Sequence, residues 1–253
     1  MDLPPLPDNF DPLVHIPDGA AWIDFLDPLA FTTASGGTLA ATVVNKVTGG
    51  SWAEATNRPA YSATAMNGRP GITGNGASSR IITTEALPVA ALQGLQPHTM
   101  MVAYARTVST ASGTIVGAGS TAVGNNSRTK SFGQSPTANQ FRIFVQNDAN
   151  VQSFKDTAGV PADTLNHILV VRFDGAKVQV WDNTFAKISP FDLAGGAFAH
   201  GATTIERIAL LCRPKLTPDG FSSGTIGEFR LYARALEEQE IAWTIEDGRR
   251  RWN

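Results

Sequence analysis

Ile168-Leu169-Val170-Val171-Arg172-Phe173-Asp174-Gly175-Ala176-Lys177-Val178-Gln179-Val180-Trp181 decides the fold. Apolar residues run up to an Asp-Gly pair and resume in alternation beyond it. Val178 and Val180 take one face; Lys177, Gln179 and Trp181 take the other. Two such runs around Asp-Gly mark a β-hairpin, because a positive φ in the turn preserves the strands' right-handed twist. The same period of two recurs on both sides. Met100-Met101-Val102-Ala103-Tyr104-Ala105 and Thr114-Ile115-Val116-Gly117 precede the hairpin. Phe141-Arg142-Ile143-Phe144-Val145-Gln146 puts Phe141, Ile143 and Val145 on one face. Residues 205–211 and 225–232 supply further strands. Short strands divided by Gly, Asn, Ser and Thr clusters predict an all-β chain, an antiparallel β-sandwich or jelly roll.

One helix is expected, at about residues 236–247. Glu237, Glu238 and Glu240 occupy its first turns and Arg249, Arg250 and Arg251 lie just past its end. Both signs suit the helix macrodipole. Leu236, Ala242 and Trp243 share one arc, while Ile241 and Ile245 point elsewhere, as for a short helix lodged in a crevice. Trp243 and Phe229 are the large aromatics expected to be buried where this helix closes on the last strand.

The chain has 253 residues, a length that one sandwich domain routinely uses. Charged residues make up 17%, below the usual value of about 25%, and the formal charge is −2. That balance excludes a long coiled coil, an acidic disordered tail and a basic nucleic-acid protein. No global field attracts phosphate or anionic lipid, and no apolar window approaches about 18 residues. Neither a nucleic acid nor a membrane is an expected partner. Cys212 is the sole cysteine, so an internal disulfide and a cysteine zinc site are out, and a buried thiol is expected. Met1-Asp2-Leu3-Pro4-Pro5 shows neither a basic nor an apolar leader, so synthesis in a reducing cytoplasm without a signal peptide is expected. Residues 1–20 carry Pro4, Pro5, Pro7, Pro12 and Pro17 and read as an extended arm, lying on the domain or on a neighbouring subunit. Residues 21–253 form the domain.

The stretch from Gly224 to Ile241 adds a resemblance. Gly224, Ile226, Glu228, Tyr232, Arg234, Leu236, Glu240 and Ile241 fall on the closing motif of laminin G-like, concanavalin A-type jelly rolls. In that motif a strand "G-x-I-x-E-h-x-h-Y-x-R-x-L" runs into a short helix containing "E-I". The hairpin at Asp174-Gly175 is similar to the family's "F-D-G" pair. Trp22-Ile23-Asp24, Asn57-Arg58-Pro59-Ala60-Tyr61 and Asn67-Gly68-Arg69-Pro70-Gly71-Ile72 resemble motifs of a variant met in bacteriophage structural proteins. Thr73-Gly74-Asn75-Gly76 replaces that variant's "F-D-G" ending. The resemblance implies a concanavalin A-like jelly roll that binds ligands along one rim or on the concave sheet face.

Residues able to carry chemistry are few. A glycan-cleaving site needs two carboxylates about 5–9 Å apart, at i and i+2 or i and i+4 on a strand. The "E-x-D-x-x-E" run of the laminarinase-like relatives is absent, and Glu228 faces Arg230, which neutralises it. His15, His98, His167 and His200 are scattered without ligand spacing, and turn hydrogen bonds account for His98 and His167. No G-x-S-x-G elbow or nucleotide fingerprint appears. Calcium is common in laminin G-like domains, with Asp148, Asp156 or Asp182 as candidate ligands here, yet no D-x-D-x-D-G loop exists. No catalytic residue and no cofactor are expected.

Binding is the stronger expectation. Sugar recognition wants an aromatic plane with amide and charged partners. Asn125, Asn126, Arg128 and Phe132 offer these in one loop; Asn147, Asp148, Asn150, Phe154 and Asp156 offer them in another. Phe144, beside Arg142 and Gln146, and Trp181, beside Lys177 and Gln179, are expected on polar sheet faces as a sugar platform or subunit interface. The resemblance therefore implies a non-enzymatic virion protein: a tail, spike or capsid-decoration component binding a host-surface glycan. It would contact other virion proteins through the arm, as a homo-oligomer in the particle. The alternatives are a glycan-active hydrolase or lyase on the same fold and a purely architectural decoration protein.

Overall fold

A computed structural model describes residues 5–106, 113–121, 128–135, 140–149, 151–157, 166–183, 187–192 and 203–252, with 187–192 as backbone. The first strands are Gly19–Asp24 (β1), Phe31–Ala34 (β2), Leu39–Val44 (β3), Ser51–Ala53 (β4), Ala60–Met66 (β5), Arg69–Thr73 (β6) and Ile81–Thr83 (β7). Next come His98–Ala105 (β8), Gly113–Gly119 (β9), Thr129–Gln134 (β10), Phe141–Gln146 (β11) and Gln152–Asp156 (β12). Asn166–Phe173 (β13), Lys177–Asp182 (β14), Lys187–Asp192 (β15), Arg207–Leu210 (β16) and Thr225–Tyr232 (β17) complete the set. The helices are Pro12–His15 (α1), Ala86–Ala91 (α2) and Glu238–Trp252 (α3).

Pairing is antiparallel in every ladder between these strands. One layer runs β1–β17–β8–β13–β14–β15. The other runs β12–β11–β10–β9–β16–β7–β4–β3–β2. The β5–β6 hairpin links them, because β6 pairs with the start of β17 and β5 touches β3. This is the expected antiparallel β-sandwich. The hairpin forms where the sequence places it: the Asp174 carboxylate accepts from the N–H groups of Ala176 and Lys177, and β13 pairs with β14 from Leu169↔Asp182 to Phe173↔Val178.

The first layer is apolar on both faces. Val102, Tyr104, Leu169, Val171, Val180 and Phe229 point between the layers, where the Trp52 and Phe229 rings lie 5.9 Å apart. Met101, Ala103, Ile168, Val170 and Trp181 point the other way and meet Ile241, Ile245 and Trp252 of α3. Both halves of each alternation therefore leave water, which is why β8 and β13 read as nearly continuous apolar runs. Trp181 does share its face with Lys177 and Gln179, but beyond the exposed Lys177 that face is covered. Trp181 is fully buried under α3, which corrects the expectation of an open platform there.

The helix also differs from expectation. It starts at Glu238 and continues to Trp252, so Arg249, Arg250 and Arg251 form its last turn. Its buried stripe is Ile241, Ala242, Ile245, Gly248 and Trp252 rather than Leu236, Ala242 and Trp243, although Leu236 is buried ahead of it. Gly248 permits this length: a Cβ there would sit 2.7 Å from an Ile168 methyl and 2.8 Å from the Met101 methyl. Trp243 lies at the surface, donating its indole N–H to the Pro5 carbonyl and standing 6.2 Å from the Phe10 ring. Pro5 and Phe10 thus lie against α3 of their own chain, and residues 12–15 turn as α1 rather than running extended before β1 begins at Gly19.

Glu228 ties three elements together. Its Oε1 accepts from the Trp22 indole of β1 at 2.6 Å and from Arg230 Nε at 2.7 Å. Its Oε2 accepts from the Trp252 indole at 2.6 Å and from Arg251 Nε at 3.1 Å. Arg230 also grips Asp247 on α3. Burial opposes the charge on Glu228, but Arg230, Arg251 and these hydrogen bonds outweigh it and hold the carboxyl down to about 2. The structural pairing of Glu228 with Arg230 expected from sequence is present. Cys212 is buried, and burial pushes its thiol up to about 12. His98 makes the turn bond to the Gln96 carbonyl, whereas His167 is buried against Asp182 at 2.9 Å.

Two outcomes follow for stability. Trp252→Ala and Phe229→Ala should each lose about 3–5 kcal/mol in urea unfolding, as fully buried aromatics do, whereas Trp243→Ala should lose about 1 kcal/mol or less. A reversed order would mean α3 presents its other face. Glu228→Gln should lose about 3–5 kcal/mol at neutral pH, because Arg230 and Arg251 are left without their anion. Since folding lowers this carboxyl from 4.5 to about 2, its contribution is complete above pH 4.5 and is lost as pH falls towards 2. The stability curve of Glu228→Gln should therefore be flatter than wild type across that window, and identical slopes would refute the assignment.

Candidate functional site

A groove of about 620 Å³ opens on the outer face of the second layer, across β9, β10, β11 and β12. Directly opposed residues on neighbouring strands build it in rungs. Phe154 stands across from Phe144, and Phe144 from Ser131. One step along, Asp156 stands across from Arg142, and Arg142 from Gly133. Alternation explains the split: Phe141, Ile143 and Val145 of β11 enter the core, so Arg142 and Phe144 must face outward.

The far wall comes from residues 213–221, which leave β16 and double back over β9. Arg213 N–H donates to the Asp219 carbonyl, and Thr114 N–H donates to the Gly220 carbonyl at 2.7 Å. This crossing needs a bare floor. A Cβ on Gly113 would meet the Phe221 carbonyl oxygen at 2.6 Å, and one on Gly133 would press on the Gly113 carbonyl oxygen. Glycine inside a strand marks such a close backbone approach.

Two of the groove's aromatics, Phe154 and Phe144, each carry an arginine on one face. The Arg142 guanidinium lies 4.1 Å from the Phe154 ring centroid, and that of Arg213 lies 5.1 Å from Phe144. Arg142 is also held by Asp156 in a two-bond fork, Nε to Oδ1 at 2.7 Å and Nη2 to Oδ2 at 2.8 Å. This fork raises Arg142 above its ordinary pKa and holds Asp156 below the usual carboxylate range. Arg213 pairs with Asp219 at 2.7 Å. Phe154 remains 53% exposed, so its free side is open to a ligand. At the groove's end lies Gln134, only 5% exposed, whose carbonyl oxygen accepts from the Tyr104 hydroxyl at 2.6 Å. Its amide nitrogen has no hydrogen-bond partner among the described residues. A buried donor without a partner costs about 1–3 kcal/mol.

Of the residues singled out from sequence, Phe144 and Phe154 line this groove, and Asp156 fixes the orientation of its Arg142. Asn125, Asn126 and Asn150 lie outside the described residues. Phe132 is 2% exposed in the core, 5.5 Å from the Phe141 ring, because it shares the inner face of β10. Asn147 is mostly buried and accepts from the N–H groups of Ala149 and Val151, so it shapes its own turn. Arg128 and Asp148 meet at 2.7 Å, joining the two loops, and Asp148 also accepts from Thr204. They do not line the groove. Asp148, Asp156 and Asp182 point at three different partners, and no cluster of three metal-ligating side chains exists among the described residues. Sequence reasoning missed Arg213, Gln134 and the glycine floor. Gly113 and Gly133, lone glycines inside strand patterns, were the available signal.

No protein-family model and no curated protein matches this sequence. Solved structures do resemble it. The carbohydrate-binding module (CBM40) of the Ruminococcus gnavus IT-sialidase, in complex with alpha2,3 sialyllactose, is 16% identical with a TM-score of 0.55. The match covers 68% of this chain and 94% of that one. The leech intramolecular trans-sialidase is 15% identical at TM-score 0.54, covering 69% of this chain and 26% of that one. Trypanosoma rangeli sialidase, in complex with sialic acid, is 14% identical at TM-score 0.59. That match covers 97% of this chain, which spans about a third of the sialidase, 35%. At these identities the likeness establishes the β-sandwich fold.

Adding one methyl to the groove floor checks this construction. Gly133→Ala should lower stability by about 1–3 kcal/mol through overpacking against backbone, whereas Ser131→Ala, which only deletes an oxygen in the groove, should melt as wild type. Equal melting temperatures for all three proteins would show that the floor is not closely packed.

Proposed function

We propose that this chain is a non-enzymatic glycan-binding sandwich and that the groove over β9–β12 is its sugar site. The pairing of Phe144 and Phe154 with Arg142 and Arg213, on one open sheet face, carries this reading. The free face of an aromatic ring suits the apolar face of a pyranose. Guanidinium groups already fixed by carboxylates offer rigid donors to hydroxyls or to a sugar carboxylate. The lining is cationic, amide and aromatic, and the acids beside it, Asp156 and Asp219, are each committed to an arginine. That composition favours holding a sugar over cleaving one. Sialylated glycans come first among ligands to test, since one similar module is bound to sialyllactose. The finer reading, a bacteriophage virion component that assembles as a homo-oligomer and adsorbs to host glycan, rests on the motifs at Trp22, Arg58 and Asn67.

A glycan array with sialylated and desialylated members tests the site. Binding should fall at least tenfold in Phe154→Ala and Arg142→Ala, with Phe154→Ala keeping its melting temperature because that ring is half exposed. Unchanged binding in both variants, or no binding by the wild type to any member, would overturn the proposal. Labelling of purified particles with an antibody to residues 97–247 tests the virion reading separately, and unlabelled particles would remove it alone.

A further inference from the structure

The second layer carries its charge unevenly. Arg207 alternates with the buried Ile208 and Leu210 on β16, so it faces outward, beside the 213–221 wall of the groove. Its Nε donates to the Pro214 carbonyl at 2.7 Å and its Nη2 to that of Lys215. Among the described residues no carboxylate bonds to it, and the adjacent Glu206 is turned to the Thr121 N–H and hydroxyl, at 2.6 Å each. On the wall itself Asp219 is shared between Arg213, at 2.7 Å, and Lys215, at 3.1 Å. On the other side Arg80 precedes the buried Ile81 of β7, the strand that pairs with β16, and acts on Arg207 as a nearby like charge. Glu54 answers Arg80 at 2.8 Å, while its carbonyl accepts from Arg58 Nε at 2.9 Å. Arg58, Arg80, Arg207, Arg213 and Lys215 thus face three carboxylates, Glu54, Glu206 and Asp219. The strip carries +2 in a chain whose formal charge is −2, so the remainder holds −4. All five cations are half-buried and held by carbonyls or carboxylates, so a ligand meets charges already fixed in place.

We propose that the ligand of the groove is an acidic polysaccharide, carboxylated or sulfated, whose chain crosses the wall at Arg213 and continues over Arg207 towards Arg80. This rests on the groove being the sugar site. Arg213 belongs to both parts, since it lies over the Phe144 ring in the groove and begins the strip. Within the groove Arg142 and Arg213 are answered by Asp156 and Asp219, so the excess charge lies beyond the wall. From β12 to β7 the layer has five strand spacings, about 24 Å in all, which an oligosaccharide spans and a single sugar does not. Acidic groups repeated along a chain reach the strip while other sugars of that chain occupy the groove. A neutral glycan of the same length gains nothing there.

Two matched pairs of polymers test this on the full chain by affinity electrophoresis at neutral pH: polygalacturonate beside its methyl ester, and dextran sulfate beside dextran. The wild type should bind at least one acidic polymer at least tenfold more tightly than its neutral counterpart. That preference should shrink at least threefold as ionic strength rises from about 0.05 to 0.3 M. The double variant Arg58→Gln, Lys215→Gln should cut the preference at least threefold with its melting temperature unchanged, and Phe154→Ala should weaken binding of the acidic polymer. Equal affinity within both pairs, or no binding to any of the four, would overturn this proposal on the native chain alone and leave the groove to the glycan array. A single-stranded oligonucleotide competing as well as the acidic polymer would overturn it too, as the mark of a surface for any polyanion. Acidic binding that Phe154→Ala leaves untouched would bring down the groove reading, and this proposal with it.

Discussion

A carboxylate with no access to water organises this molecule. Glu228 would be among the costliest residues to bury were its oxygens not met by two indole N–H groups and two arginines from three elements. The donors come from three directions: Trp22 from β1, Arg230 from β17 itself, Arg251 and Trp252 from the last turn of α3. The charge cannot be satisfied unless β1 has paired with β17 and α3 has docked along its full length. Three cations crowd the Trp22 ring as well, with Lys46 at 4.3 Å, Arg230 at 5.2 Å and Arg251 at 5.7 Å from its centroid. The start of the domain is thereby locked to its end. An apolar replacement could supply similar burial energy but not this directional requirement.

Legibility from sequence followed the cause of each element. Where a strand owes its existence to alternation over a buried face, as in β11, β13, β14 and β17, the pattern gave type and boundaries closely; β17 spans residues 225–232 as read. The first half of the chain was less readable. β2, β4 and β7 have three or four residues each, and β5 exposes most of its side chains, so tertiary pairing decides them more than periodicity does. The helix shows the same limit. Its start followed from acidic residues and charge, but its end did not, because Gly248 is a packing contact with Ile168 and Met101 and not a terminator. That information belongs to residues 80 and more positions away.

The groove was half legible for a related reason. Phe144 and Phe154 could be placed facing outward from the parity of β11 and from loop composition. Arg213 could not, since nothing local to residues 213–221 says that they fold back over β9. Likewise, Phe132 reads as a loop residue and Trp181 as a sugar platform, because composition and parity do not say what covers a side chain. One faces the opposing layer and the other faces α3. Sequence gives the side of a sheet; packing decides whether that side meets water.

The same packing fixes where a ligand can go. Strands β8 and β13 of the first layer are covered on one face by the second layer and on the other by α3. Among the described residues, the broad sheet face left to water is the outer face of the second layer, and there the glycine floor of β9 and β10 turns a flat surface into a groove. A side chain at Gly113 would lift the end of the 213–221 segment, and one at Gly133 would press β10 against the β9 backbone. Floor and wall are therefore coupled at Gly113, so the cleft there cannot be filled without displacing the segment that forms its wall.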